Sequence, residues 1–310
     1  MILEKTTASD KILMVHNGAL GDFFMTWPAI LALRTALPDN IFLWAGKTGV
    51  YRWLSGLGIS PAGPDLHHGL RSLYGAAQWP PELNGVRIIW FGLKGPSPII
   101  HERILFLPGI DDKLPDTPPR DLYLARLATA GIPAVPDWLG VFRNRWCAAD
   151  SKPGTPILLF PGSGHPAKNW SLVKYLELAS GLQKAGEHPC FVLGPVESES
   201  GMDCAPFPVY RPENLGELEN LTASARLVVG NDSGPMHLAG YLGTPGLILF
   251  GPTSHHQWGP PGLAALTSDV PCRPCSATAR INCSRPVCLE ISSDRVLARV
   301  QSMLHSEDEG

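Results

Sequence analysis

In Leu227-Val228-Val229-Gly230-Asn231-Asp232-Ser233-Gly234-Pro235-Met236-His237-Leu238-Ala239, an apolar run gives way to a polar, glycine-bearing loop and then resumes. That order of residue types suits the binding of an anion. Leu227 to Val229 have the character of a parallel strand covered on both faces, and Pro235 fits the first turn of a helix. Ser233 or Asp232 is then the N-cap. The backbone N–H groups that follow lack intrahelical partners and lie at the positive end of the helix dipole, so a phosphate or diphosphate is their natural guest. The alternative is a capped core helix without a ligand, since such turns are common in α/β proteins.

A second group of chemically capable residues is the set of four cysteines, Cys272, Cys275, Cys283 and Cys288, out of seven in the chain. The short gap between the first two, and the slightly wider one between the last two, fit paired metal ligands, and a structural zinc is one reading. Free thiols packed in a loop are the other, with a disulfide less expected in a reducing compartment. Catalytic thiol chemistry ranks below both. The segment holds no histidine, and only Arg273, Arg280 and Arg285 are at hand to lower a thiol pKa.

The elements that must position these groups follow from the rest of the chain. With 310 residues, 44% hydrophobic and 17% charged, the sequence can build two domains of ordinary size with well-covered sheets. The net charge of -3 and the thin spread of Lys and Arg offer no basic stripe for a nucleic-acid backbone, so nucleic acid is excluded as a partner. Residues 1–10 are polar, unlike a signal peptide, and no apolar run approaches the roughly 20 residues a membrane span requires. The expectation is a cytoplasmic protein.

Apolar runs predict strands at 11–16, 41–45, 86–91 and 104–107, with helices over about 24–37 and 121–130. Asn17-Gly18-Ala19-Leu20-Gly21-Asp22 joins the first strand to the first helix, and Pro28 is placed in that helix's first turn. The pattern weakens between 142 and 156, where the interdomain linker is expected, giving domains 1–150 and 151–310. Strands then follow at 157–160, 190–193, 227–230 and 247–250. A helix over about 172–185 turns Leu172, Leu176, Ala179 and Leu182 toward the sheet. Alternating strands and helices mean parallel sheets, whose ligands sit at the carboxyl ends of the strands. A last helix over 293–304 packs on the second domain, and 306–310 is expected to be a disordered acidic tail.

Taken together, several of these loops resemble glycosyltransferase family 9, the ADP-heptose:lipopolysaccharide heptosyltransferases. The matching pieces are Gly18-Ala19-Leu20-Gly21-Asp22, Pro161-Gly162-Ser163 leading to Lys168-Asn169-Trp170, Gly230 through Ala239, and Phe250-Gly251-Pro252-Thr253. They occur in the family's order, and the cysteine segment 272–288 is also similar to one found in many members. The resemblance implies an α/β protein of the GT-B architecture: two Rossmann-like domains with parallel sheets facing a central cleft, the N-terminal one for the acceptor and the C-terminal one for the nucleotide-sugar. It implies an inverting transfer of heptose from ADP-heptose to a lipopolysaccharide inner-core acceptor, at the inner face of the cytoplasmic membrane and with no cofactor needed for catalysis. A relative using another nucleotide-sugar or glycan, or a catalytically silent nucleotide-sugar binder, are the alternatives.

Such a displacement needs a base for the acceptor proton and stabilisation of the departing diphosphate. Asp22, which follows Gly18 and Gly21 on the acceptor-side loop, is the candidate base, and the resemblance puts the family's catalytic aspartate there. Capping the helix is its alternative role. Lys168 is the candidate for the leaving group. Ser233 and Gly234, with the N–H groups of Met236 and His237, are expected to complete the diphosphate cradle. Ser163, Asp232 and Thr253 join them on the donor side, and Glu197 has the position of a ribose-binding carboxylate. Many family members carry Arg where this chain has His16 and Asn17, which leaves the acceptor contacts of that loop open.

Overall fold

The computed structural model describes residues 10–74, 78–94, 100–146, 155–275, 283 and 286–308. Residues 147–154 of the expected linker lie outside them, as do Arg280 and Arg285. The strands are β1 Lys11–His16, β2 Ile41–Gly46, β3 Ile59–Pro61, β4 Val86–Gly92, β5 Ile104–Pro108, β6 Ile157–Phe160, β7 Pro189–Val192, β8 Val209–Tyr210, β9 Leu227–Asn231, β10 Gly246–Phe250 and β11 Ala264–Thr267. The helices are α1 Leu20–Ala36, α2 Tyr51–Leu54, α3 Pro64–Ser72, α4 Pro119–Thr129, α5 Trp138–Trp146, α6 Leu172–Lys184, α7 Pro195–Glu199, α8 Leu215–Ala223, α9 Gly234–Leu242, α10 His255–Trp258 and α11 Ser293–Asp308.

The chain forms two compact units, Met1–Trp138 and Leu139–Gly310. In the first, a five-stranded sheet has the order β3-β2-β1-β4-β5, every pair parallel. β1 sits at its centre with Ile12, Leu13 and Met14 fully buried, which is why its sequence is an unbroken apolar run. α1 packs beside α4, and its residues Phe23 to Leu33 are all buried. Because α1 begins at Leu20, earlier than expected, Pro28 lies well inside it and not in its first turn. There it withholds an N–H from the helical ladder, and the burial around it compensates.

The second unit carries a six-stranded sheet of order β11-β10-β9-β6-β7-β8, again with all pairs parallel. Its core joins Leu159, Leu227, Val229, Leu247 and Leu249 of the sheet to Leu178 and Leu182 of α6 and Val296 and Val300 of α11. α11 approaches α6 closely because Gly181 has no side chain: a Cβ there would stand 2.6 Å from Leu297 Cδ2. α5 belongs to this unit, with Phe142 edge-on to Tyr241 and Arg143 donating to the Gly240 carbonyl at 3.0 Å. The stretch 142–146, read as linker because Arg143-Asn144-Arg145 breaks the apolar pattern, is therefore helix, and the division falls ahead of residue 150. The tail expected to be disordered from Ser306 is helical through Asp308, as a continuation of α11.

Candidate active site

In the second sheet, the chain runs outward from β6 to β8 and then returns to β9 on the other side of β6. At such a reversal the two following loops diverge and leave a crevice at the strands' carboxyl ends. Asn231, the fully buried last residue of β9, ties the two loops together. Its Oδ1 accepts from Trp170 N at 2.9 Å, and its Nδ2 donates to the Pro161 carbonyl at 2.7 Å. Trp170, held in addition by its indole N–H on the Ile291 carbonyl, fixes the far end of the loop after β6.

This clamp presents Lys168 to Asp232. Lys168 Nζ donates to Asp232 Oδ2 at 3.0 Å, with side chains 23% and 8% exposed. Thr253, from the loop after β10, donates its hydroxyl to the same Oδ2 at 2.8 Å. The loop carrying Thr253 is held in turn by Arg273, whose guanidinium donates to the carbonyls of Gly251 at 3.0 Å and Thr253 at 3.2 Å. Lys168 is thus a preoriented cation and not an unattached one. An ammonium has three donors, so a pair with one carboxylate oxygen leaves others for a ligand.

Ser233 holds the N-cap position of α9 in extended backbone, yet its hydroxyl does not cap the helix. That Oγ is buried and has no hydrogen-bond partner among the described residues. A buried hydroxyl left without a partner costs free energy, and a ligand oxygen would recover it. The N–H groups of Met236 and His237, expected to be open, instead point at the Ser233 carbonyl at 3.2 and 3.3 Å and close the first helical turn. The Met236 side chain is fully buried beneath Gly230, and His237 is buried within α9. The donors offered at this helix end are accordingly Gly234 N–H and the Ser233 hydroxyl.

The remaining donor-side candidates border the same loops. Ser163 Oγ lies 2.6 Å from Asn169 Oδ1 and 2.9 Å from the His165 carbonyl, so its single proton serves its own loop. Glu197 Oε2 accepts from Gly194 N at 3.0 Å at the start of α7, and its carboxylate lies directly over Gly162, where any Cβ would collide with it. Glycine at 162 is what lets that carboxylate reach the loop after β6.

In the first unit, the strand order reverses between β1 and β4, and Asp22 stands in the loop-to-helix turn after β1. Its Oδ2 accepts from Ala19 N at 2.8 Å, so part of the helix-capping role is real. Gly18 allows the close approach: a Cβ there would meet Asp22 Oδ2 at 2.8 Å and His16 Nε2 at 2.7 Å. Tyr123, which donates to the Gly92 carbonyl at the end of β4, has its hydroxyl pKa raised by burial and by the Asp22 carboxylate. His16 is buried, and burial, aided by the Lys47 ammonium, lowers its pKa to about 4, so it is neutral at physiological pH.

Residues 142–287 match the model of glycosyltransferase family 9 (heptosyltransferase). They form a glycosyltransferase family 9 domain. The chain is 33% identical over 137 residues to lipopolysaccharide heptosyltransferase 1 of Pseudomonas aeruginosa, a match that spans 41% of this chain and only 38% of that protein. Among solved structures, ADP-heptose lps heptosyltransferase II of E. coli superposes with a TM-score of 0.64 at 20% identity, covering 96% of this chain and 99% of that one. E. coli heptosyltransferase WaaC with ADP gives a TM-score of 0.60 at 16% identity, over 94% and 99%. At these identities the likeness establishes the fold, the two-unit GT-B class of α/β protein.

The family 9 domain contains the whole Lys168–Asp232–Thr253 cluster and Arg273, whereas Asp22, His16 and Tyr123 precede it. Of the cysteine segment 272–288, Cys288 is buried, Cys275 is half-buried, and Cys272 and Cys283 are exposed, all as free thiols. Burial raises the Cys288 pKa, and the other three thiols add to the rise. Among the described residues, no three or more His, Cys, Asp or Glu side chains are placed to hold a metal ion, and the zinc reading finds no support. Asn231, Arg273 and Tyr123 are the residues that sequence reasoning missed. A polar residue closing an apolar strand was a signal for Asn231, but the other two act through contacts that no local pattern encodes.

Proposed function

We propose that the protein transfers heptose from ADP-heptose to a lipopolysaccharide inner-core acceptor, with inversion at the anomeric carbon. The observation that carries this reading is the Lys168–Asp232–Thr253 cluster at the reversal point of the second sheet, beside the buried, unpartnered Ser233 hydroxyl. It is supported by the family 9 match over those residues and by the identity to a lipopolysaccharide heptosyltransferase.

Asp22, from the first unit, takes the proton of the acceptor hydroxyl as its oxygen bonds to the anomeric carbon. The bond from that carbon to the diphosphate breaks, and its electron pair leaves with ADP. Lys168 neutralises the charge that accumulates on the diphosphate, while the Ser233 hydroxyl and Gly234 N–H donate to its oxygens. These groups are fixed before the reaction, so little reorganisation is needed as charge develops. Asp232 orients the ammonium and, with Thr253, sets where the sugar's phosphate can lie. Glu197 is suited to the ribose hydroxyls. The reading needs no cofactor for the chemical step, and no nucleic acid enters it. The acceptor's lipid anchor would put the enzyme at the inner face of the cytoplasmic membrane, and among the described residues no helix is long and apolar enough to cross it.

The test is calorimetric titration of the protein with ADP-heptose beside UDP- and GDP-activated sugars. ADP-heptose should bind at least about tenfold more tightly, a difference of ~1.4 kcal/mol. Equal or preferred binding of a UDP- or GDP-sugar would transfer the reading to another donor.

A further inference from the structure

Three consecutive carbonyls of the loop after β10 accept hydrogen bonds from one short segment. Arg273 takes the outer two, its Nε donating to Gly251 at 3.0 Å and its Nη2 to Thr253 at 3.2 Å. The Cys275 amide takes the one between, donating to the Pro252 carbonyl at 2.7 Å. Nε–H and the neighbouring Nη2–H form one edge of the planar guanidinium, so a single side chain fixes the spacing of the outer pair. Gly251 admits a further contact: a Cβ there would stand 2.7 Å from Leu289 Cγ. Two residues beyond Leu289, the Ile291 carbonyl receives the Trp170 indole N–H at 2.9 Å. Arg273, Cys275, Leu289 and Ile291 thus brace both of the loops that carry Lys168 and Thr253.

In a trans peptide the C=O and N–H point in opposite directions. With the Pro252 carbonyl drawn to Cys275, the Thr253 N–H faces away from the brace, and it has no hydrogen-bond partner among the described residues. Thr253 is only half-buried, so this amide is open to a ligand, whereas Gly251 and Pro252 beside it are buried. The Thr253 hydroxyl reaches Asp232 Oδ2 at 2.8 Å, the oxygen that also holds Lys168 Nζ at 3.0 Å. A backbone donor and a cation therefore stand on either side of one carboxylate, and the orientation of the first is set by Arg273.

We propose that Arg273 is a positioning residue of the donor site: by holding the Gly251 and Thr253 carbonyls, it aims the Thr253 N–H at the sugar-bearing phosphate, where that amide joins Lys168 in stabilising the charge that develops. The proposal rests on the transfer reading above and adds to it a backbone donor and the side chain that aims it. Arg273 acts through the loop, without touching the donor. A nucleoside diphosphate has this phosphate at its end and a monophosphate lacks it, so the contribution of Arg273 is read in the preference for one over the other.

The experiment is calorimetric titration of the full chain with ADP and AMP, UDP and UMP, and GDP and GMP, each pair differing only in the terminal phosphate. On the base that binds best, the wild type should hold the diphosphate about tenfold or more tightly than the monophosphate. Arg273→Ala should cut that ratio about fivefold or more by weakening the diphosphate, while the monophosphate stays within about twofold of the wild type. Arg273→Lys keeps the charge but lacks the planar fork that spans both carbonyls, so its ratio should fall between the two. Unfolding temperatures show whether each variant is folded, and the lysine variant carries the test if the alanine variant is not. A wild type without the preference, an unchanged ratio in the variant that carries the test, or equal weakening of mono- and diphosphate, the mark of a merely structural residue, would each overturn the proposal. A preferred base other than adenine would instead overturn the ADP reading and leave this ratio as it is, so the two failures are distinct.

Discussion

At the scale of single residues, Lys168 shows how an ordinary cation becomes useful. Its Nζ is held 3.0 Å from Asp232 Oδ2, so the cost of orienting a long side chain is met before a donor arrives. Lys168→Ala should lower the transfer rate by two to three orders of magnitude and weaken ADP binding, which steady-state kinetics and titration can separate. Among the described residues it should also leave Asp232 with only Thr253 as a side-chain partner. His16 makes a different prediction. Its folded pKa of about 4 lies below the ordinary 6.5, so between those pH values the unfolded chain binds a proton that the folded chain refuses. The stability due to neutral His16 is complete above pH 6.5 and is lost as pH falls toward 4, by about 3 kcal/mol. Urea unfolding at pH 7.5 and pH 4.5 should show a loss in the wild type that a His16→Asn variant lacks.

At the scale of elements, the long central strands were readable because burial on both faces demands continuous apolar runs, as Leu227 to Val229 and Ile157 to Phe160 supply. The short strands at or near the sheet edges, β3, β8 and β11, were not, since a few half-exposed residues carry no pattern. The 142–146 part of α5 reads as linker because its charged residues mask the contact face that Phe142 provides. Helix α9 was legible in type but not in detail. Ser233, Gly234 and Pro235 announced the N-terminus of α9, while the engagement of the Met236 and His237 amides by the Ser233 carbonyl depended on the actual turn. Asn231 joins the elements that make the crevice. Asn231→Ala would leave Trp170 N and the Pro161 carbonyl without their partner in a buried setting, at a cost of about 2–4 kcal/mol. Urea denaturation should read that loss, and donor affinity should fall with it, because Lys168 sits on the loop so released.

At the scale of the whole molecule, each unit is a parallel sheet whose strand order reverses once, and the proposed function assigns one half of the chemistry to each reversal. Asp22 stands at the first, and the Lys168–Asp232–Thr253 cluster stands at the second. The residue types at both places were legible, because a carboxylate after a glycine loop and a lysine after a strand are local features. Their surroundings were not: Tyr123, which feels the Asp22 charge, and Arg273, which holds the Thr253 carbonyl, come from distant parts of the chain. The division of labour between a base in one unit and a donor site in the other is the account's central claim. An Asp22→Asn variant tests it, with ADP-heptose affinity and the rate of transfer measured on the same preparation. The account predicts that affinity stays within about twofold while turnover falls at least a hundredfold. Turnover near that of the wild type, with the donor still bound, would contradict it.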